Sequence, residues 1–201
     1  MTTTQTIPAP KKNLLDVAQR LMLAQGYAAV SVGAICEAAG VTKGSFFHYF
    51  KSKEALGLEL LAYYWANATQ RIQTELARAP ERSAAQKAFD LIDFFANEAQ
   101  QGGTLAQGCL VGHFAQSLSE SHPTIRETTV QYLDEWRDLM SAILREALAE
   151  NPSADFDPDA TAVHFIIVLE GALILAKAKG DPSLVQIHAE QFKTYLRCLL
   201  A

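Results

Sequence analysis

Apolar positions recur along this chain at three- and four-residue spacing, the period of a helix with one buried face. Leu14, Ala18, Leu21 and Met22 make the first such stripe, and Gly26 behind them is a stop signal. Ser31 opens a short helix to about Ala39, ended by Gly40, and Thr42 opens another to about Tyr49. Ser52 then opens a long one, KEALGLELLAYYWANATQRIQTELAR, ending near Pro80. Ser83 and Gln86 have the capping-box spacing and start a helix to about Gln101. The Gln-Gly-Gly that follows breaks the pattern, a helix near 104–120 comes next, and Pro123 suits the first turn of a helix to about Glu150. Asp157-Pro158 and Asp181-Pro182 repeat one device, in which Asp caps and Pro fills the first helical position. They start helices over about 158–179 and 182–200. No β-alternation of useful length interrupts this series, so the expectation is an all-α fold of nine helices.

One stretch departs from the even spacing. In KGSFFHYFKSKE, residues 43–54, Phe46, Phe47, Tyr49 and Phe50 crowd together with only His48 between them, and lysines stand on both sides. The two short helices before and within it, joined by AAGVT, have the layout of a helix-turn-helix: Gly40 permits the tight turn, Val41 packs inward, and Thr42 caps the second helix. A recognition helix points its N-terminal residues at base edges in the major groove. A helix of barely two turns must anchor itself and also present contact groups. Phe46 and Phe50, four apart, share the core side, and Phe47, His48 and Tyr49 point elsewhere.

Charge supports that placement. The net charge of −5 conceals an asymmetry, since residues 1–60 hold six Lys/Arg against four Asp/Glu and residues 61–201 hold eleven against eighteen. A polyanion partner is expected at the N-terminal end. Lys11 and Lys12, expected just before the first helix, read as a solvated terminus or as a DNA-touching arm. Three scattered cysteines with no C-x-x-C pair argue against a disulfide framework or a zinc site and for a reducing cytoplasm. The N-terminus lacks the apolar region of a secretion signal, and no apolar run approaches a membrane span in this reading. No nucleophile–base–orienter trio, metal spacing or phosphate loop is present, which argues against an enzyme and against a cofactor.

The stretch from Leu14 to Leu56 resembles the TetR family of bacterial transcriptional repressors. Ala18, Gly26-Tyr27, Ile35, Ala39-Gly40-Val41, Lys43-Gly44, Phe50, Lys53-Glu54 and Leu56 all fall in the family's order. The resemblance implies a cytoplasmic homodimer that binds double-stranded operator DNA in the absence of ligand. It implies a head over residues 1–51 and a ligand-binding and dimerisation domain over 52–201. Lys43, Gly44, Ser45 and Phe47 are implied toward bases and nearby phosphates, and Ser31, Thr42, His48, Tyr49 and Lys53 toward the backbone. Phe47 stands where the family usually has Tyr, and Tyr49 where it often has His. Phe47 gives up a hydroxyl for phosphate but still meets a thymine methyl.

Farther along, Phe94, Phe95, His113, Phe114, Tyr132 and Trp136 fall on three successive helices, where they read as core or as a ligand pocket. Glu170 sets one carboxylate in an apolar helix and requires a partner, water or an opening. GCLVGHFAQSLSESHP and LEGALILAKAK are similar to a TetR subgroup that responds to small reactive or unsaturated molecules, acrylate and N-ethylmaleimide responders among them. The candidate pocket residues are therefore Phe94, Cys109, His113, Phe114, Trp136 and Glu170, for a small apolar or electrophilic inducer. Cys109, near a helix start with His113 one turn on, reads either as a packed hydrophobe or as a thiolate poised for an electrophile. Cys36 and Cys198 read as packing. The last two helices are expected to make the dimer, through Gly171, Ala172 and Ala176 on one and Val185, Ala189, Phe192, Leu196 and Leu199 on the other. The alternative function is a helical small-molecule-binding or enzymatic protein that has lost DNA binding.

Overall fold

The computed structural model describes residues 7–100 and 105–201. Among the described residues it is all-α, with nine helices: α1 (Ala9–Gln25), α2 (Val32–Ala39), α3 (Lys43–Tyr49), α4 (Lys53–Leu76), α5 (Ala84–Gln100), α6 (Leu110–Leu118), α7 (Pro123–Glu150), α8 (Pro158–Lys179) and α9 (Ser183–Leu199). The head is α1–α3. Its capping is what the sequence implied: Ser31 Oγ accepts from Ala34 N–H at 3.1 Å, Thr42 Oγ1 from Ser45 N–H at 3.2 Å, and Ser52 Oγ from Ala55 N–H at 3.0 Å. Gly40 takes the left-handed conformation, φ 66°, that the turn between α2 and α3 requires. Leu14, Ala18, Met22, Ile35, Phe46 and Phe50 bury one side of each helix in a small core.

In the larger domain α7 packs on α5, α6 and α8, and α9 packs on α5 and α8. α4 reaches from the head across α5, α6 and α7. A buried cation missing from the sequence reading helps fix α9: Lys193 Nζ bridges Asp93 on α5 and Glu190, at 2.6 Å each.

Several sequence expectations need correction. The helix expected near 104–120 spans only Leu110–Leu118, because Leu105–Gln107 form a turn and Gly108 adopts φ 105°; its expected first residue lies outside the described residues. α4 stops at Leu76 rather than near Pro80. Lys11 and Lys12 sit within the first turns of α1, paired with Glu59 and Asp16, so neither forms a free arm. α8 is long and apolar enough, by composition, to cross a membrane, yet it carries Glu170 and Lys177 and in the fold packs on α7 and α9. Val185, Ala189, Phe192 and Leu196 are buried inside the protomer, as are Ala172 and Ala176, so these are core and not a contact surface. Cys198 is exposed rather than packed. Of the large apolar side chains left open among the described residues, Val163, Ile167, Ile174 and Leu175 lie on α8 and Ile187 and Tyr195 on α9, with Phe47 on α3 and Val130 on α7 besides.

Candidate functional site

α3 resolves the crowding of aromatics. Phe46 is fully buried and Phe50 is 1% exposed, their rings 5.5 Å apart, while Phe47 is 54% exposed. Lys43, Gly44 and His48 lie open on the surface with Phe47, and Ser45 and Tyr49 are half-buried. Thr42 and Ser31 are exposed at the two helix N-termini, although each hydroxyl also serves as a cap. The predicted contact residues thus gather on one end of the head, with Lys51 exposed beside them.

Lys53 carries a structural duty inside the head as well as the position implied toward the backbone. Its ammonium donates to the carbonyl of Tyr27 at 2.9 Å and of Val30 at 3.0 Å, and it lies 4.3 Å from the Tyr27 ring centroid. Burial depresses its pKa. Two of its three donors are spent inside the head, so its geometry ties the start of α4 to the α1–α2 loop. Lys53→Met is accordingly expected to lower stability by about 2 kcal/mol, the scale of charge-assisted hydrogen bonds. It should weaken binding to all duplexes alike. Chemical denaturation beside a DNA titration checks this.

Five of the six candidate pocket residues line two cavities, Cys109 taking part in both. An apolar cleft is walled by Tyr64, Trp65, Arg71, Phe94, Phe95 and Trp136, with Cys109 and Tyr132 also on its edge. Its cavity volume is about 30 Å³, close to one water's share of liquid, so anything larger has to part the aromatic walls. Trp65 and Tyr132 stack at 5.4 Å with 21° between planes, and Arg71 is held by Glu98 while standing 5.8 Å from the Phe94 ring. Trp136 Nε1 is sealed from solvent with no hydrogen-bond partner among the described residues. The contributions of Tyr64, Trp65 and Arg71 were missed in the sequence; YYW at 63–65 in mid-helix was the available signal.

The second cavity, about 60 Å³, lies among Leu23, Gly108, Cys109, His113, Glu170 and Lys177. Glu170 as a residue is half-buried, yet its Oε1 is sealed from solvent and has no hydrogen-bond partner among the described residues. Burial pushes its pKa up to about 7, opposed only by the Cys109 thiol. Gly112 gives the carboxyl its room, since a Cβ there would clash with both oxygens. Phe114 belongs to neither cavity. It is core, edge-on to Tyr27 at 5.6 Å.

Cys109 stands between the cavities, beside the Tyr64 hydroxyl and the Glu170 carboxyl. The poised thiolate is not what this site makes. Burial first, and then the Glu170 charge, hold the thiol well above its ordinary pKa despite its place at the start of α6. His113, expected to assist as a cation, is driven toward its neutral form by burial and by Lys177.

Both parts of the chain match family models. Residues 14–60 match the bacterial regulatory proteins of the TetR family, and residues 84–192 match the tetracyclin repressor-like C-terminal domain. The chain belongs to the TetR family. TetR membership makes it a helix-turn-helix transcription regulator that binds DNA and responds to a ligand. The transcriptional regulator AcuR of Cereibacter sphaeroides is 35% identical over 162 residues, which span 79% of this chain and 72% of AcuR. The HTH-type transcriptional repressor DhaR of a Mycobacterium species is 28% identical over 174 residues, 85% and 84% of the two chains. Among solved structures, the regulatory protein TetR from Rhodobacter sphaeroides superposes with a TM-score of 0.80 at 29% identity, covering 91% of this chain and 96% of that one.

Proposed function

We propose that this TetR-family chain is a cytoplasmic, non-enzymatic repressor that binds operator DNA as a homodimer and is released by a small apolar molecule entering the aromatic cleft. The observation that carries the reading is α3: a helix locked from beneath by Phe46 and Phe50 with Lys43, Gly44, Phe47 and His48 held outward at one end. Base contact falls to Lys43, Gly44, Ser45 and Phe47, and backbone contact to Ser31, Thr42, His48, Tyr49 and Lys51. The cleft favours a noncovalent, flat ligand carrying a hydrogen-bond acceptor for the Trp136 N–H. The neutral, buried Cys109 argues against an electrophile as the inducer.

Release follows from the connections of α4. The same helix presents Tyr64, Trp65 and Arg71 to the cleft and, at its other end, Lys53 to the head. Gly57, between them, is packed against Tyr27, Phe114 and Ile125. Parting the cleft walls therefore displaces a rigid helix on which the head is seated, changing the spacing of two recognition helices that must match one turn of DNA.

The dimer rests on the open apolar side chains of α8 and α9, which exposed water-facing helices do not carry in such number. Ile167, 64% exposed, is the most open of them. Ile167→Glu is expected to give a folded monomer with at least ~100-fold weaker DNA affinity, because the two half-sites no longer act as one ligand. Light scattering together with gel shifts on the DNA upstream of the chain's own gene tests both halves of the proposal. A wild-type monomer at micromolar concentration, or no shift by the wild type, would overturn it.

A further inference from the structure

The second cavity holds an unusual pair. Glu170 Oε1 and His113 Nε2 are both sealed from solvent, both without a hydrogen-bond partner among the described residues, and both side chains line the same space. Buried polar atoms are ordinarily partnered, because leaving one bare forfeits its hydration. The carboxyl occupies room beside Gly112 that a Cβ there would take, so it would have to shift for any larger residue. Gln107 and Gln116 add further polar groups to the wall.

We propose that this cavity is a second binding site, for a small uncharged molecule that carries a hydrogen-bond donor and an acceptor on one carbon, as a primary carboxamide does. The N–H of such a group donates to Glu170 Oε1 and its carbonyl accepts from the His113 ring. The Lys177 ammonium and the Glu170 carboxyl line the same wall, so it offers no net charge to hold an ionic ligand. Volume limits the occupant to a few heavy atoms. The site is separate from the aromatic cleft, and Cys109 forms part of the wall of each. It also adjoins the head, for Lys177 Nζ donates to the Leu23 carbonyl at the end of α1, at 2.6 Å.

The test uses propionamide and its isostere butanone, which keeps the carbonyl but lacks the N–H. Saturation-transfer NMR on the full chain without DNA reads binding directly, so the result does not depend on the repressor reading, which gel shifts on the same preparation report separately. Saturable propionamide binding is expected in the millimolar range, with butanone at least ~10-fold weaker. Glu170→Met removes the carboxyl with little change of volume and should fold, as thermal unfolding will show. His113→Phe removes the other partner with the ring retained. Each should weaken propionamide at least ~10-fold. No saturable binding to the wild type, equal binding of the two probes, or undiminished binding to either folded variant would overturn the site and leave ordered water as the occupant.

Discussion

Phe46→Ala is expected to remove about 4 kcal/mol of stability and with it all specific DNA binding, while Phe47→Ala leaves folding within about 0.5 kcal/mol of the wild type. The two residues are adjacent and identical, and only their positions on α3 differ. Phe46 is completely enclosed, in ring contact with Phe47 at 5.3 Å and Phe50 at 5.5 Å, within a core made from short helices. Its loss leaves a cavity that so small a core has few other side chains to fill. Phe47, more than half exposed, contributes little to that core. Its removal should relax the preference for one base position per half-site, where a ring against a thymine methyl discriminates. Urea unfolding and a DNA titration of each variant separate the two outcomes. Similar destabilisation by both substitutions would mean that α3 is seated differently.

The second large effect is in the pH dependence of stability. Glu170 has a folded-state pKa of about 7 against an ordinary value of 4.5. Between those values the folded chain keeps a proton that the unfolded chain has released. Stability from this residue is therefore present below about pH 4.5 and is lost as pH rises through 7, by roughly 3 kcal/mol in all. His113 acts in the opposite sense, because its lowered pKa favours folding once pH exceeds the ordinary histidine range. Comparison with Glu170→Gln isolates the carboxyl. The variant should match the wild type near pH 5 and exceed it by up to roughly 3 kcal/mol at pH 8. Parallel stability curves for the two proteins would show that Glu170 is solvated or paired.

The architecture was legible because its signals are local. Ser31, Thr42, Ser52 and Asp157 announce helix starts through hydrogen bonds to residues two or three positions away, and Gly40 announces a turn through its own φ. The two faces of α3 followed from four-residue spacing alone. What depends on distant partners was not legible. Lys53 reads as a surface cation until the carbonyls of Tyr27 and Val30 are brought to it. Cys109 reads from its position at a helix start as either a packed hydrophobe or a poised thiolate, and only the fold brings Glu170, sixty-one residues on, beside it. α9 shows an apolar stripe in its sequence, but only the fold shows that Val185, Phe192 and Leu196 face α5 and α8 within one protomer while Ile187 and Tyr195 face out.

The account stands most directly on sequence-specific, dimeric DNA binding through α3. The decisive measurement is fluorescence anisotropy of a labelled duplex from upstream of the chain's own gene, against a scrambled duplex, as salt is raised from about 50 to 200 mM. With two donors of Lys53 held inside the head and Lys12 paired with Asp16, Lys43 and Lys51 are the exposed lysines on and beside α3, four in a dimer, which predicts a log–log slope of about −4. Tight binding to the native duplex, that slope, and loss of preference at one position per half-site in Ser45→Ala are the expected result. Equal affinity for the scrambled duplex, or a slope near zero, would contradict it.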